Sequence, residues 1–396
     1  MKYFGYLFFI LIAFILPKDW NNDSQKDPIA VIAYYVPRWY NNPKQLPLDQ
    51  LTHIIYSFTK VIDGEMKFSN EGLVVKLQQL VAEKKNHPSL KVMIACGGWG
   101  ADGFSDMAHT AENRQKFVSS VVQFITKYKL DGLDIDWEYP GIPAANTGAR
   151  PEDKENFTLL MKELREGLNT LDNKQTLTFA SAGWKYYYKN IEIKEVMKYV
   201  DYINVMTYDQ IIATSTFTGH HTALGWIKSV DLKATPYGKF VDAKNEEMKK
   251  NGYSFEPQSA EKIIDYCLEN GISPEQIVIG AAFYGRAWKG VPPTNNGLYQ
   301  TNTGSYIGWS PYMQIRNQFE SNSNYQRYWD SIAKAPYLFS AKDSIFISYD
   351  DTVSVKLKTE YAIKNNLGGI MFWELGNDTD EKNSLLKAIY DTSKKK

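Results

Sequence analysis

Short apolar runs alternate with longer amphipathic segments along most of the chain. Eight such runs, rich in β-branched and aromatic residues, recur from residue 30 to residue 372, and several are apolar almost throughout. Apolar runs of this kind are typical of parallel strands covered on both faces, and the segments between them are typical of crossover helices. The predicted strands are Ala30–Tyr35, His53–Phe58, Lys91–Ala95, Gly132–Asp136, Thr176–Ala180, Tyr202–Met206, Ile277–Ala282 and Gly368–Phe372. Eight strand–helix units predict an α/β fold, the (β/α)8 or TIM barrel.

Two connections are longer than a plain barrel needs. Thr207–Phe255 follows the sixth predicted strand, and Gly285–Phe346 separates the seventh from the eighth. Long ordered insertions are usually functional. We expect residues 287–347 to form a small α+β insertion subdomain that walls one side of a cleft, and residues 27–286 and 348–393 to form the barrel. A floppy surface loop is the alternative for the insertion.

The first residues have the pattern of a secretory signal. One lysine precedes an uncharged stretch from Tyr3 to Pro17, which matches a signal n-region and h-region and is too short to span a bilayer comfortably. We predict a signal peptide over residues 1–25, with cleavage between Pro17 and Lys26. The mature protein is then secreted, to the exterior or a periplasm, without a membrane association, and we expect it to be a monomer.

Charge and composition narrow the class of partner. Lys+Arg and Asp+Glu both total 45, so no net field recruits a polyanion, and nucleic acid is not an expected partner. Aromatic residues form 14% of the chain, which suits stacking against sugar rings but also suits a large core.

Two cysteines, Cys96 and Cys267, make no disulfide framework, and Cys96 is expected to be buried and structural.

One predicted strand carries an alternating row of acids. The segment Asp131–Pro140 reads DGLDIDWEYP, so Asp134, Asp136 and Glu138 share one face of an extended chain while Leu, Ile and Trp occupy the other. Neighbouring acids in the row lie about 6–7 Å apart at the backbone. Repulsion and burial should therefore raise the pKa of one carboxyl and leave a protonated acid beside an ionised neighbour.

A catalytic role explains this row better than stability does. Buried carboxylates cost several kcal/mol each unless they are paired. Glu138 ends the row at the C-terminal end of its strand, where barrel enzymes carry their chemistry. The alternatives are a calcium site and a solvated surface strand, but calcium loops need Gly and polar residues in a tight turn, which the interleaved apolar residues do not supply. No metal site and no cofactor are expected.

The acidic strand resembles the D-G-x-D-x-D-W-E signature of glycoside hydrolase family 18, the chitinases and related endo-β-N-acetylglucosaminidases. The similarity extends from Ile29 to Ile389 through four further motifs in the family's order. These motifs are KVMIACGGW at Lys91–Trp99, NVMTYD at Asn204–Asp209, FYGRAW at Phe283–Trp288 and GIMFW at Gly369–Trp373.

The resemblance implies a retaining, substrate-assisted hydrolysis of β-1,4-linked N-acetylglucosamine in chitin or chitooligosaccharides. It makes Glu138 the general acid/base and Asp136 the group that orients the acetamido N–H. It further implies that Asp134 shares a proton with Asp136 and that Tyr208 binds the acetamido carbonyl. The implied substrate-binding residues are Tyr34, Trp99, Met206, Asp209, Tyr284, Arg286 and Trp373.

Several alternatives stay open at this point. Trp373 is expected to form the floor under the distorted sugar, with a core position as the alternative, and Arg286 could instead pair structurally with a carboxylate. The same row suits an endo-β-N-acetylglucosaminidase on N-glycans, and a non-catalytic chitin-binding lectin of this fold is the third function. Ala95 stands where the family often has a serine that holds the inner aspartate, which predicts a shifted pH profile. His220 and His221 are predicted to have a substrate-loop role rather than to bind a metal.

Overall fold

Eight parallel strands close a barrel in the computed structural model, which describes residues 28–37, 42–249, 255–379 and 382–394. The predicted signal peptide, residues 1–25, lies outside the described residues. The barrel order is β1-β2-β4-β5-β6-β7-β8-β14, and β14 pairs with β1 to complete the ring. The barrel strands are β1 Ala30–Tyr35, β2 His53–Ile62, β4 Lys91–Gly97, β5 Gly132–Asp136, β6 Thr176–Ala182, β7 Tyr202–Met206, β8 Ile277–Ala282 and β14 Gly369–Trp373. The predicted (β/α)8 barrel is confirmed.

Helices occupy the segments between the strands, as the amphipathic pattern predicts. The longest, α3 and α4, bury apolar faces against the outside of the barrel. The helices are α1 Gly72–Ala82, α2 Phe104–Ala108, α3 Ala111–Tyr128, α4 Asp153–Leu168, α5 Lys185–Lys189, α6 Ile193–Val196, α7 Pro236–Lys249, α8 Ala260–Glu269, α9 Tyr312–Ile315, α10 Thr352–Lys364 and α11 Leu385–Ser393.

Strand alternation divides the side chains of β5 between two environments. Leu133 and Ile135 are fully buried in the large core between the sheet and the helices. Asp134 points the other way, into a small interior cluster that includes Ile32, Met93 and Met371. The two-residue period of the strand therefore places the acids inside the barrel and the apolar residues outside it.

Several barrel strands differ from their predicted bounds. β4 and β6 continue beyond the predicted ends, to Gly97 and Ala182, and β14 begins and ends one residue later than predicted. β2 continues to Ile62 because its last residues pair antiparallel with β3, Glu65–Lys67, across a tight turn at Asp63 and Gly64. The buried Thr59 and the half-buried Lys60 interrupt the apolar run where this extension begins.

A second, antiparallel sheet is built almost entirely from the chain between β8 and α10. Its order is β10-β9-β13-β12-β11, and β9 begins at Tyr284, two residues after β8 ends. A separate apolar cluster, which includes Trp288, Tyr337 and Phe346, joins this sheet to the long connection after β7. The strands are β9 Tyr284–Lys289, β10 Gly304–Pro311, β11 Gln326–Asp330, β12 Ala335–Ser340 and β13 Ile345–Ser348.

Both cysteines are buried and free, and burial raises the pKa of each thiol to about 12. Within the described part of the chain, every helix is too short or too polar to cross a membrane.

Candidate active site

A cleft of about 650 Å³ opens at the C-terminal ends of the barrel strands. Ten of the eleven predicted site residues line it, and Asp134 lies beneath it, fully buried. The antiparallel sheet contributes one wall through Tyr284, Arg286 and Trp309. The lining residues are Tyr34, Phe58, Trp99, Asp136, Glu138, Tyr139, Ala180, Ala182, Gly183, Trp184, Met206, Tyr208, Asp209, Ile212, Ala213, Thr214, Tyr284, Arg286, Trp309 and Trp373.

The innermost acid, Asp134, is held by three donors from three different strands. The Tyr34 hydroxyl donates to Oδ2 at 2.9 Å, and the Thr178 hydroxyl and Asn204 amide donate to Oδ1 at 2.5 and 3.1 Å. Burial raises the pKa of Asp134 to about 6, although these three hydrogen bonds oppose the rise. Ala95 lies beside Asp134 in register and supplies no side-chain donor, so the network depends on its neighbours.

Asp136 is buried in the cleft, and its Oδ1 has no hydrogen-bond partner among the described residues. Burial raises its pKa well above the ordinary value, and repulsion from Glu138 and Asp134 adds to the rise. A buried acceptor without a partner is costly in a folded protein, so it marks a place where a donor from a ligand is expected.

Glu138 follows β5 by two residues and faces the cleft. Burial raises its pKa to about 7 against the opposing effect of a hydrogen bond with Tyr139, and the charge of Asp209 contributes to the rise. A carboxyl with this pKa is protonated over much of the physiological range and can donate a proton inside the cleft. Lys60, whose ammonium donates to the Gly97 carbonyl at 3.0 Å, lowers the pKa values of Asp136 and Glu138 electrostatically.

Gly97, the last residue of β4, and Gly98 allow the chain to approach the acidic strand closely. Gly97 adopts a φ of 127°, and a Cβ there would lie 1.9 Å from the carbonyl oxygen of Asp136. The next amide, of Gly98, donates to that same carbonyl at 2.9 Å. Only glycine permits this approach, which fixes the backbone of the acidic strand at the residue before Trp137.

Asp209 occupies the cleft wall between two basic side chains. Its Oδ1 accepts from the Nε of Arg286 at 2.6 Å and lies 3.6 Å from the Nδ1 of His221. Burial raises the pKa of Asp209, but the contacts with His221 and Arg286 outweigh burial and lower the pKa overall. Arg286 therefore pairs with a carboxylate, which was the structural alternative, and it also lines the cleft, where its sugar contact stays a prediction.

Aromatic side chains form the floor and rim. Trp373 is half-buried, stacks on Phe58 with ring centroids 5.5 Å apart, and lies 5.8 Å from the Tyr34 ring. Tyr208 sits beside it with its hydroxyl 3.8 Å from the sulfur of Met371. At the rim, Trp99 leaves 66% of its side chain exposed. Broad apolar faces at the floor and rim suit the C–H faces of sugar rings.

Sequence reasoning missed several residues of the cleft. Tyr139 was hidden because β5 ends at Asp136, so strand alternation no longer describes where residue 139 points. Trp184 follows β6 by two residues, and the rule that strand ends carry function could have found it. Trp309 comes from the antiparallel sheet, and no local signal in the sequence places it in the cleft.

The two adjacent histidines point in different directions. His220 approaches Asp330 of β11 at 3.1 Å, away from the cleft, and His221 approaches Asp209. The described residues contain no group of three or more His, Cys, Asp or Glu side chains that could hold a metal ion.

Comparisons with known proteins agree with the geometry. The model of glycosyl hydrolases family 18 matches residues 31–378. Chitinase A1 of Niallia circulans is 37% identical over 79% of this chain, although the chain spans only 44% of that protein. Chitinase B of Serratia marcescens is 29% identical over 95% of this chain and 82% of its own length. A solved family 18 N-acetylglucosaminidase from Paenibacillus barengoltzii is similar with a TM-score of 0.79, at 35% identity over 92% of this chain and 99% of that one.

Proposed function

The chain belongs to glycosyl hydrolases family 18, and from that premise we propose that it hydrolyses β-1,4-linked N-acetylglucosamine in chitin or chitooligosaccharides. The observation that carries the proposal is Glu138, a carboxyl with a pKa raised to about 7, facing a cleft with the buried acceptor Asp136 beside it. The names of the chitinase relatives support the choice of substrate.

In the proposed reaction the substrate supplies its own nucleophile. Glu138 gives its proton to the glycosidic oxygen while the acetamido carbonyl oxygen of the sugar attacks the anomeric carbon, and an oxazolinium ion forms as the leaving sugar departs. Asp136 accepts a hydrogen bond from the acetamido N–H and stabilises the positive charge that develops on the oxazolinium ion. Water then attacks the anomeric carbon, gives a proton to Glu138, and releases a product with the original β configuration.

The remaining site residues hold the sugar in the reactive geometry. Tyr208 donates to the acetamido oxygen, and Trp373 supports the face of the distorted ring. Asp134, which is held by Tyr34, Thr178 and Asn204, shares a proton with Asp136 in this proposal. The other predicted contacts, from residues 99, 206, 209, 284 and 286, line the cleft within reach of a bound chain.

A paired experiment tests the acid and the substrate-derived nucleophile separately. Glu138→Gln keeps the shape of the side chain and is expected to lower kcat on chitohexaose by about a hundredfold to ten-thousandfold, with binding retained. Oligomers that lack the acetyl group at the cleaved sugar should resist the wild-type enzyme. Full activity of the variant refutes the role of Glu138, and efficient cleavage of the deacetylated oligomers refutes substrate assistance.

A second candidate differs in product size. The solved N-acetylglucosaminidase of this family is covered by this chain over almost its whole length, which favours release of single N-acetylglucosamine units. Early products from chitohexaose separate the two candidates. Dimer, trimer and tetramer at the first time points indicate a chitinase, whereas monomer together with pentamer indicates the second candidate. A parallel digestion of an N-glycosylated protein tests the endo-β-N-acetylglucosaminidase alternative, and retained binding without turnover would indicate a lectin.

We further propose that residues 287–347 serve as the insertion that walls the cleft, because Trp309 of this segment lines it. The predicted signal peptide over residues 1–25 supports secretion, and we propose separately that the secreted enzyme is a monomer. Size-exclusion chromatography and N-terminal sequencing of the secreted form test these two expectations.

A further inference from the structure

The tandem histidines connect the cleft to the antiparallel sheet. His220 and His221 are adjacent and fully buried as side chains, yet their rings contact residues on opposite sides of the segment. The His220 Nε2 lies 3.1 Å from Asp330, which also accepts from the Tyr299 hydroxyl at 2.9 Å. The His221 ring lies between Asp209 and the backbone of Tyr284.

The backbone of His221 is fixed from both sides. Its N–H donates to the Ser348 hydroxyl of β13 at 2.9 Å, and its carbonyl accepts from the Gln210 amide at 3.0 Å. The next residue, Thr222, donates to the buried carboxylate of Asp350 at 2.8 Å. A ring attached to so constrained a backbone has little freedom to move, so it can act as a fixed support for a neighbouring group.

Both ring nitrogens of His221 face acceptors. Nε2 lies 3.2 Å from the carbonyl oxygen of Tyr284, and Nδ1 lies 3.6 Å from Oδ1 of Asp209. The carbonyl can only accept, so a neutral ring that donates from Nε2 leaves Nδ1, which has no hydrogen-bond partner among the described residues, as a close charge contact of Asp209. Burial and the charge of Arg286 lower the pKa of His221, whereas Asp209 and Asp350 raise it, and the net direction is downward. Lys358, paired with Asp350 at 2.6 Å, is the remaining charge in this cluster.

Asp209 needs such support because its backbone is strained. It adopts a φ of 55°, in the left-handed region that side chains other than glycine rarely occupy. Strained residues persist where the surroundings over-determine them, and they concentrate at functional sites. Arg286 donates to Oδ1 of this carboxylate, and the ring of His221 lies 3.6 Å from the same oxygen.

We propose that His221 is a positioning residue that fixes the carboxylate of Asp209 in the cleft, while His220 ties the same segment to β11 without acting on the site. The inference rests on the proposed function, since Asp209 is one of the residues expected to shape the acetamido pocket. For this pair of histidines the sequence predicts only a role in a substrate loop.

Three variants test the proposal on chitohexaose. His221→Phe keeps the aromatic volume and removes both ring nitrogens, and we expect kcat to fall about tenfold or more, because small misplacement of a catalytic-site group costs up to a hundredfold. We expect KM to change less than threefold. His220→Phe is the matched control, since it alters an adjacent and equally buried histidine, and its kcat should stay within twofold of wild type. His221→Asn, whose amide can donate, should recover part of the lost kcat.

A double-mutant cycle shows whether the effect passes through Asp209. In an Asp209→Asn background, His221→Phe should change kcat by less than twofold. The inference is overturned if the kcat losses of Asp209→Asn and His221→Phe multiply in the double variant. It is also overturned if His220→Phe and His221→Phe lower kcat equally, or if His221→Phe leaves kcat unchanged. Failure of the proposed function is distinguishable, because the wild-type protein itself would then leave chitohexaose intact.

Discussion

Glu138→Gln is expected to stabilise the protein at alkaline pH and to leave its stability unchanged at acid pH. Burial raises the pKa of Glu138 in the folded protein to about 7, from a reference value of 4.5. The folded state therefore keeps a proton that the unfolded state releases between these two values. Stability falls as pH rises through that window, because the folded state binds more protons than the unfolded state there. A neutral glutamine removes this loss.

The size of the effect follows from the two pKa values. The difference between 4.5 and about 7 corresponds to roughly 3 kcal/mol of destabilisation, fully present only above pH 7. Since unfolding entropy is about 2.1 cal/mol/K per residue, a chain of this size should unfold at a temperature higher by roughly 4 °C. The pKa of Asp136 also falls when residue 138 is neutral, because repulsion from Glu138 is one cause of its rise, and this adds to the gain.

Thermal unfolding of the wild type and variant at pH 4 and pH 8.5, at one scan rate, measures the effect. The unfolding temperatures should agree at pH 4 and separate at pH 8.5, with the variant higher. Asp172→Asn, at an exposed carboxyl far from the acid row in sequence, is the control and should give the same difference at both pH values. An unfolding-temperature difference for Glu138→Gln that does not depend on pH would refute the assignment of a buried, proton-retaining acid.

Three further outcomes test individual features of the site and core. Lys60→Met should move the alkaline limb of the kcat/KM profile to higher pH, because the lysine lowers the pKa values of the neighbouring acids; an unmoved or lowered limb contradicts this. Trp184→Ala should raise KM for chitohexaose several-fold, since an aromatic contact contributes about 0.5–1.5 kcal/mol, whereas Trp226→Ala, outside the cleft, should not. Cys96 and Cys267 should resist a thiol reagent in the native protein and react only after unfolding, because both are buried with pKa values of about 12; rapid native labelling contradicts this.

The barrel could be predicted from sequence because each of its strands is buried on both faces. Such strands leave continuous apolar runs, and β1, β7 and β8 begin and end where those runs do. β2 differs most from its predicted bounds, since its extension pairs with β3 and begins with the polar residues Thr59 and Lys60. The antiparallel sheet was predicted only as a region, because β10 and β11 mix exposed and half-buried positions and β9 pairs with β13, which lies at the far end of the insertion.

Some site residues could be placed from local sequence, whereas others are brought together only by the closed barrel. The two-residue period of β5 places residues 134 and 136 on one face, and Glu138, which lies two residues beyond the end of the strand, still faces the cleft as predicted. The donors that hold Asp134 come from Tyr34, Thr178 and Asn204, on three other strands, and only the closed barrel brings them together. Lys60 was missed for the same reason, since nothing near it in sequence marks its approach to the acids.

The floor and the walls of the cleft are expected to have different chemical roles. The floor of the cleft, where bond cleavage is proposed, is fixed by strand ends that the barrel holds rigidly. Its walls come from the segments after β6 and β7 and from the antiparallel sheet, through Trp184, Ile212 and Trp309. Because these walls decide how many sugar units fit on each side of the cleaved bond, relatives with the same acid row can differ in product length. We therefore expect reaction type to depend on the acid row, and product length to depend on the tertiary contacts that bring Trp184, Ile212 and Trp309 to the cleft.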